Sequence, residues 1–165
     1  MENTLLKIKT MTPEQVDTAV GWAEAEGWNP GLHDARCYPK ADNGGFIGGF
    51  LQDQMIGCIS AMRYSHDFGF IGFYMVQLPY RGQGYGIQLW QAAMQRLQGC
   101  NIGLDGVTEQ QHNYQRSGFK LAYRNIRYQG VGVGSQLDDP NLDEPNVNTA
   151  KLVPLSELAL DTLLA

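Results

Sequence analysis

The alternation of hydrophobic and polar residues divides the chain into elements before any motif is considered. Residues 4–11 alternate Leu6, Ile8 and Thr10 against Leu5, Lys7 and Lys9, which predicts a first strand. Thr12-Pro13-Glu14-Gln15 follows with an N-cap, a proline at the first helical position and a capping-box glutamine, so a helix is expected over about 13–26. Val16, Ala19, Val20, Ala23 and Gly27 mark its inner stripe. The turn Gly27-Trp28-Asn29-Pro30-Gly31 leads to a short helix near 32–38. Three apolar runs, 46–52, 55–64 and 68–78, are separated only by Asp53-Gln54 and Ser65-His66-Asp67, and so predict an antiparallel meander. A helix is expected over 84–97, with Ile87, Leu89, Trp90, Ala93, Met94 and Leu97 inward and Gly99 ending it. A fifth strand at 101–106, a short helix at 109–117 and a further strand at 121–129 complete the pattern.

Composition changes this picture beyond Gly130. Residues 131–150 read as an acidic linker containing Pro and Gly, and 151–165 as the start of a further element with Ser156 as N-cap, a truncated second domain or a docking piece. The globular part is therefore expected within residues 1–130. A chain of 165 residues with 43% hydrophobic residues buries a core of its own and belongs to the mixed α/β class. The net charge of −5 argues against a nucleic-acid partner, which needs a basic face. Cys37, Cys58 and Cys100 form no Cys-x-x-Cys pair and are expected as reduced, mostly buried thiols. No long apolar window or export signal is read from the sequence, so a cytoplasmic protein without a membrane partner is expected, and no metal.

The candidate chemistry lies where the strand at 68–78 meets Pro79 and the glycines Gly82, Gly84 and Gly86. A strand, a glycine loop and a helix N-terminus in that order make an anion site, because glycines turn backbone N–H groups outward and the helix start adds unpaired donors. The loop lacks the Lys-Ser or Lys-Thr of a P-loop. A Gly-x-Gly-x-x-Gly fingerprint also fails, its third glycine falling on Ile87 or Leu89.

Arg81-x-x-Gly84-x-Gly86, with its strand and helix, resembles the pyrophosphate signature of the GCN5-related N-acetyltransferases (GNAT family). The resemblance extends over about residues 5–128. It implies a central, mostly antiparallel mixed sheet flanked by helices and splayed at the fourth strand, with acetyl-CoA as co-substrate. Backbone groups of Tyr74, Met75 and Val76 would then pair with the pantetheine arm. Gly82, Gln83, Gly84, Tyr85, Gly86 and Ile87 would wrap the pyrophosphate, with Arg81 adding charge or bracing the loop. Tyr114-Gln-Arg-Ser-Gly118-Phe119 matches the family's Tyr-x-x-x-Gly-Phe, making Tyr114 the general acid toward the leaving thiolate.

The sequence departs from the family at Val107, where an asparagine is usual, and at Pro79, one residue late. Asp105 is the first choice for general base, with helix capping as its other reading, and Glu26, His66 or a water chain remain open. Trp28, His33 and Asp34 are candidate acceptor contacts, and Glu24, Glu26, Asp34 and Asp105 suggest an acidic cleft for a cationic amine. The reading is transfer of acetyl from acetyl-CoA to a primary amine of a small molecule or protein, with a homodimer allowed. The alternatives are a non-catalytic acyl-CoA sensor and, more remotely, a nucleotide-binding protein.

Overall fold

Five strands lie in sequence order across one sheet: β1 (Lys7–Thr10), β2 (Phe46–Leu51), β3 (Gln54–Arg63), β4 (Phe68–Val76) and β5 (Asn101–Leu104). The first four pair antiparallel and β5 runs parallel to β4. This computed structural model describes residues 5–126, so the expected linker and further element at 131–165 lie outside the described residues. The chain divides into two units, Met1–Leu121 and Ala122–Ala165, and the sheet belongs to the first.

Helix α1 (Pro13–Ala25) starts on the expected capping box, Thr12 N–H donating to Gln15 Oε1 at 2.9 Å and Gln15 N–H to Thr12 Oγ1 at 3.4 Å. It ends where Gly27 takes a φ of +77° and the Trp28 N–H reaches back to the Ala23 carbonyl, a Schellman turn that places Gly27 beyond the helix rather than in its stripe. Helix α2 begins at Asp34 and runs through Pro39 to Ala41, later and longer than the pattern suggested. Pro39 removes one bond from its last turn, which a helix this short tolerates.

Helix α3 (Tyr85–Arg96) packs Leu89, Trp90 and Ala93 inward, with Leu97 buried just beyond its end, whereas Ile87 faces out at 54% exposure. The expected last helix divides into a 3-10 turn, Thr108–Gln110, and α4 (Gln111–Arg116). Leu121–Ile126 is exposed and carries no strand, against the expectation for 121–129, whose remainder is outside the described residues. A period-2 pattern becomes a strand only where a neighbouring edge supplies hydrogen bonds.

Alternation in the strands sends neighbours to opposite faces. Phe46, Cys58, Met62 and Met75 join Val16, Ala19 and Ala23 on the α1–α2 face. Ile47, Ile59, Ala61 and Ile71 meet Leu89, Trp90, Ala93 and Leu97 on the α3 face. One polar cluster links the two layers: Arg96 Nη2 donates to Asp42 Oδ1 at 2.6 Å and Arg96 Nε to the Ala61 carbonyl at 3.1 Å. The Arg63 N–H donates to Asp42 Oδ2 at 2.8 Å. Burial alone would raise the Asp42 pKa, but the Arg63 N–H, Arg96 and the Gly44 N–H outweigh it and hold the carboxyl below its ordinary value.

Candidate active site

The sheet opens where β5 stops. Phe68–Ile71 of β4 pairs with Asn101–Leu104, so among the described residues the second half of β4 has no parallel neighbour. The same half carries a bulge. Cys58 lies opposite Met75 and Ser60 opposite Gly72, two steps on β3 against three on β4. The extra residue is accommodated at Phe73, whose φ is +45°. A bulky residue in that region carries roughly 1–3 kcal/mol of strain and persists only if its surroundings hold it. They do: the Phe73 ring lies 5.4 Å from Tyr38 and 5.3 Å from Phe46, and its carbonyl accepts from Cys58 Sγ at 3.3 Å.

Beyond the bulge the ladder alternates. Gln77 N–H bonds the Ile56 carbonyl at 2.8 Å, so Met75, two residues earlier, also turns its polar groups to β3, while Val76 turns its own toward the gap. Arg81 takes part of that offer, its Nε donating to the Val76 carbonyl at 2.6 Å. The other end of the guanidinium donates to Glu26 Oε1 at 2.7 Å. Arg81 thus braces the loop against β4 and the end of α1, one of its two expected roles, and Glu26 is already paired.

The strand ends at Val76 because Leu78–Tyr80 folds into a 3-10 turn around Pro79, which fixes φ and has no donor. Gln83 Nε2 donates to the Pro79 carbonyl at 2.8 Å and ties the loop down. Gly82 and Gly84 take φ of +74° and +83°, with open space where their Cβ atoms would be. Gly84 is the N-cap of α3, and no side chain caps that helix, in contrast to the full capping box on α1. The first-turn N–H groups of α3, including those of Tyr85, Gly86 and Ile87, therefore lack both a helical carbonyl and a side-chain cap. An uncapped helix start behind two left-handed glycines fits a diphosphate.

Trp90 gathers the aromatic side of the site. Its ring is 5.6 Å from Tyr74, 5.9 Å from Tyr114 and 5.8 Å from Phe119. Burial raises the pKa of Tyr114, and burial together with the neighbouring Tyr114 phenol raises that of Tyr74. Tyr74 also reaches the loop, for a Cβ on Gly86 would lie 2.8 Å from its Oη. Gly106 packs against the Tyr114 ring so closely that a Cβ would overlap it, and Asp105, exposed just beyond β5, is the residue immediately before Gly106. The N-caps of the next turn and helix are Val107 and Gln110, neither with a side-chain bond of its own.

The other candidates fall elsewhere. His66 is in the turn before β4, at the strand's opposite end, roughly 25 Å from Val76 by strand rise. Asp34 Oδ2 accepts from the Gly31 N–H at 2.9 Å, within its own turn. His33 is exposed, and Trp28 is half-buried against the α1–α2 core. Of the expected acidic cleft, Glu26 is ion-paired with Arg81, while the Asp34 carboxylate holds its own turn and lies near Tyr38. Tyr38 beside Phe73 was missed by the sequence reading, and its pKa is raised by burial, then by the Asp34 carboxylate. Gly72 before a Phe-Tyr pair was the available signal for the bulge.

Among the described residues no His, Cys, Asp and Glu group suits a metal ion, and no helix is long and apolar enough to cross a membrane. Residues 10–119 match the family model described as Acetyltransferase (GNAT) family. A curated relative, holothin acyltransferase from Pseudoalteromonas sp. (strain SANK 73390), is 35% identical over 120 residues, 73% of this chain. The chain spans 40% of the length of that relative. In the solved structures, Ard1 from Thermoplasma volcanium superposes with a TM-score of 0.61 at 18% identity, covering 72% of this chain and 84% of that one. AAC(6')-Iy, in complex with the bisubstrate analogue CoA-S-monomethyl-acetylneamine, gives 0.56 at 21% identity, covering 78% and 99%.

Proposed function

Because the chain belongs to the acetyltransferase (GNAT) family, we propose that this domain binds acetyl-CoA at the 81–87 loop and transfers its acetyl group directly to a primary amine. One observation carries the reading: the uncapped start of α3, behind Gly82 and Gly84, stands beside the half of β4 that has lost its parallel neighbour. A diphosphate suits the first place and an amide-containing arm the second. The neighbour AAC(6')-Iy was solved with a CoA-linked ligand, which supports the same use of this fold.

The N–H groups of Gly82 to Ile87 hold the diphosphate, with Arg81 fixing the loop. Tyr74, Met75 and Val76 line the pantetheine arm, and the Val76 N–H, facing the gap, polarises the thioester carbonyl. The amine nitrogen attacks that carbon and its proton passes to Asp105, directly or through water. As the C–S bond breaks, the thiolate takes the Tyr114 proton. Products are the acetylamide and CoA. Our reading assigns this work to the cytoplasm and to a domain at residues 1–130, with a linker at 131–150 and a further element at 151–165.

Calorimetry with CoA, followed by thiol release from acetyl-CoA over an amine panel, tests the proposal. Binding with turnover is expected. Binding without turnover on any amine would instead make the domain an acyl-CoA sensor.

A further inference from the structure

Glu26 stands where a carboxylate does not help its own helix. It is the C-cap of α1, the end that carries a helix's partial negative charge, and the last turn of α1 contains no basic residue. The cation it faces comes from elsewhere in the chain, Arg81, whose Nη2 lies 2.7 Å from Glu26 Oε1. The carboxylate is offered from a fixed point. The left-handed Gly27 and the Trp28 N–H bond to the Ala23 carbonyl set the end of α1, and Val16, Ala19 and Ala23 anchor that helix in the core.

The other end of the guanidinium holds β4. Arg81 Nε donates to the Val76 carbonyl at 2.6 Å, so one side chain spans from α1 to the strand end that faces the gap. That bond also closes the turn between Val76 and Arg81 into a ring. The loop beyond it has less to fix it. Gly82 and Gly84 carry no side chains and take left-handed φ, and Gln83 Nε2 bonds back to the Pro79 carbonyl within the same segment. Tyr80 Oη donates to Gln54 Oε1 at 3.3 Å, a longer and exposed bond.

A ligand gripped at two places senses the distance between them, and a distance set in advance removes part of the ordering cost of the second contact. Resting on the acetyl-CoA reading, we propose that Glu26 is a positioning residue of the donor site. Through Arg81 it fixes the spacing between the diphosphate loop and the Val76 end of β4, so that both ends of one CoA molecule are met together.

The test combines calorimetry with CoA and thiol-release kinetics on wild type, Glu26→Gln, Arg81→Leu and the double variant. Glu26→Gln keeps the shape of a half-exposed side chain and should unfold at the wild-type temperature. It should weaken CoA binding about fivefold, the upper range for such a pair, and add nothing further in the Arg81→Leu background. With the best amine of the panel, KM for acetyl-CoA should rise by the same factor while kcat stays within about twofold. Acetyl-pantetheine, which has the arm but no diphosphate, should show the same kcat/KM in wild type and Glu26→Gln. Unchanged or tighter CoA binding by Glu26→Gln, losses that add to those of Arg81→Leu, or an equal loss with acetyl-pantetheine overturns the positioning role and leaves acetyl transfer standing. Thiol release from no amine overturns acetyl transfer instead, and the calorimetric cycle then decides the role of Glu26 by itself.

Discussion

Two phenols flank Trp90, and they are predicted to do different work. Tyr114 is placed to protonate a departing thiolate, so Tyr114→Phe should lower kcat roughly 100-fold while CoA affinity by calorimetry stays nearly constant. Its pKa is raised by burial, so the proton is held below that value and lost only as pH rises through it. The rate should therefore show no loss of this acid below about pH 10, which a pH–rate profile checks. Tyr74 acts on the loop instead. Gly86→Ala drives a methyl group into the Tyr74 hydroxyl and should weaken CoA binding about tenfold. Tyr74→Phe removes that oxygen and should restore most of the loss, a coupling read from the double-mutant cycle.

At the scale of elements, the Asp42–Arg96 link joins the end of α2, the end of β3 and the end of α3. Asp42→Asn keeps the shape and removes the charge, and should destabilise the fold by about 1–3 kcal/mol in a urea titration. The folded-state pKa of Asp42 is depressed, so its contribution is fully present above the unfolded value near 3.9 and disappears as pH falls through the lower folded value. Wild type should therefore lose stability in that acid window, and Asp42→Asn should lose less.

Elements like these differ in how openly the sequence declares them. The capping box of α1 and the glycine loop were legible because local residue types alone specify them. Three strands, β2 to β4, and their antiparallel order followed from short turns between apolar runs. The bulge was not legible, because Phe73 is held by Tyr38 and Phe46, residues more than twenty positions away. The pairing of Glu26 with Arg81 was hidden for the same reason. At Leu121–Ile126 the opposite happened: local alternation was present and the partner edge was not.

Across the whole molecule, the three thiols provide a ladder of accessibility. Cys37 is exposed, Cys100 half-buried and Cys58 buried, with burial pushing the Cys58 pKa to about 12. Iodoacetamide followed by mass spectrometry should label Cys37 first and Cys58 only on unfolding, because the thiolate is the reactive form. Early labelling of Cys58 in native protein would contradict the packing of β3 beneath the Phe73 carbonyl.

Trp90 gives the molecule an optical property. It is 7% exposed and stands between the two phenols, whereas Trp22 and Trp28 lie on the α1–α2 side. Replacing those two by phenylalanine leaves one emitter, shielded from water and so blue-shifted, directly beneath the donor site. Its fluorescence should change as CoA is titrated in and stay constant with an amine alone. Filling of the donor half of the site then has its own signal, read without turnover.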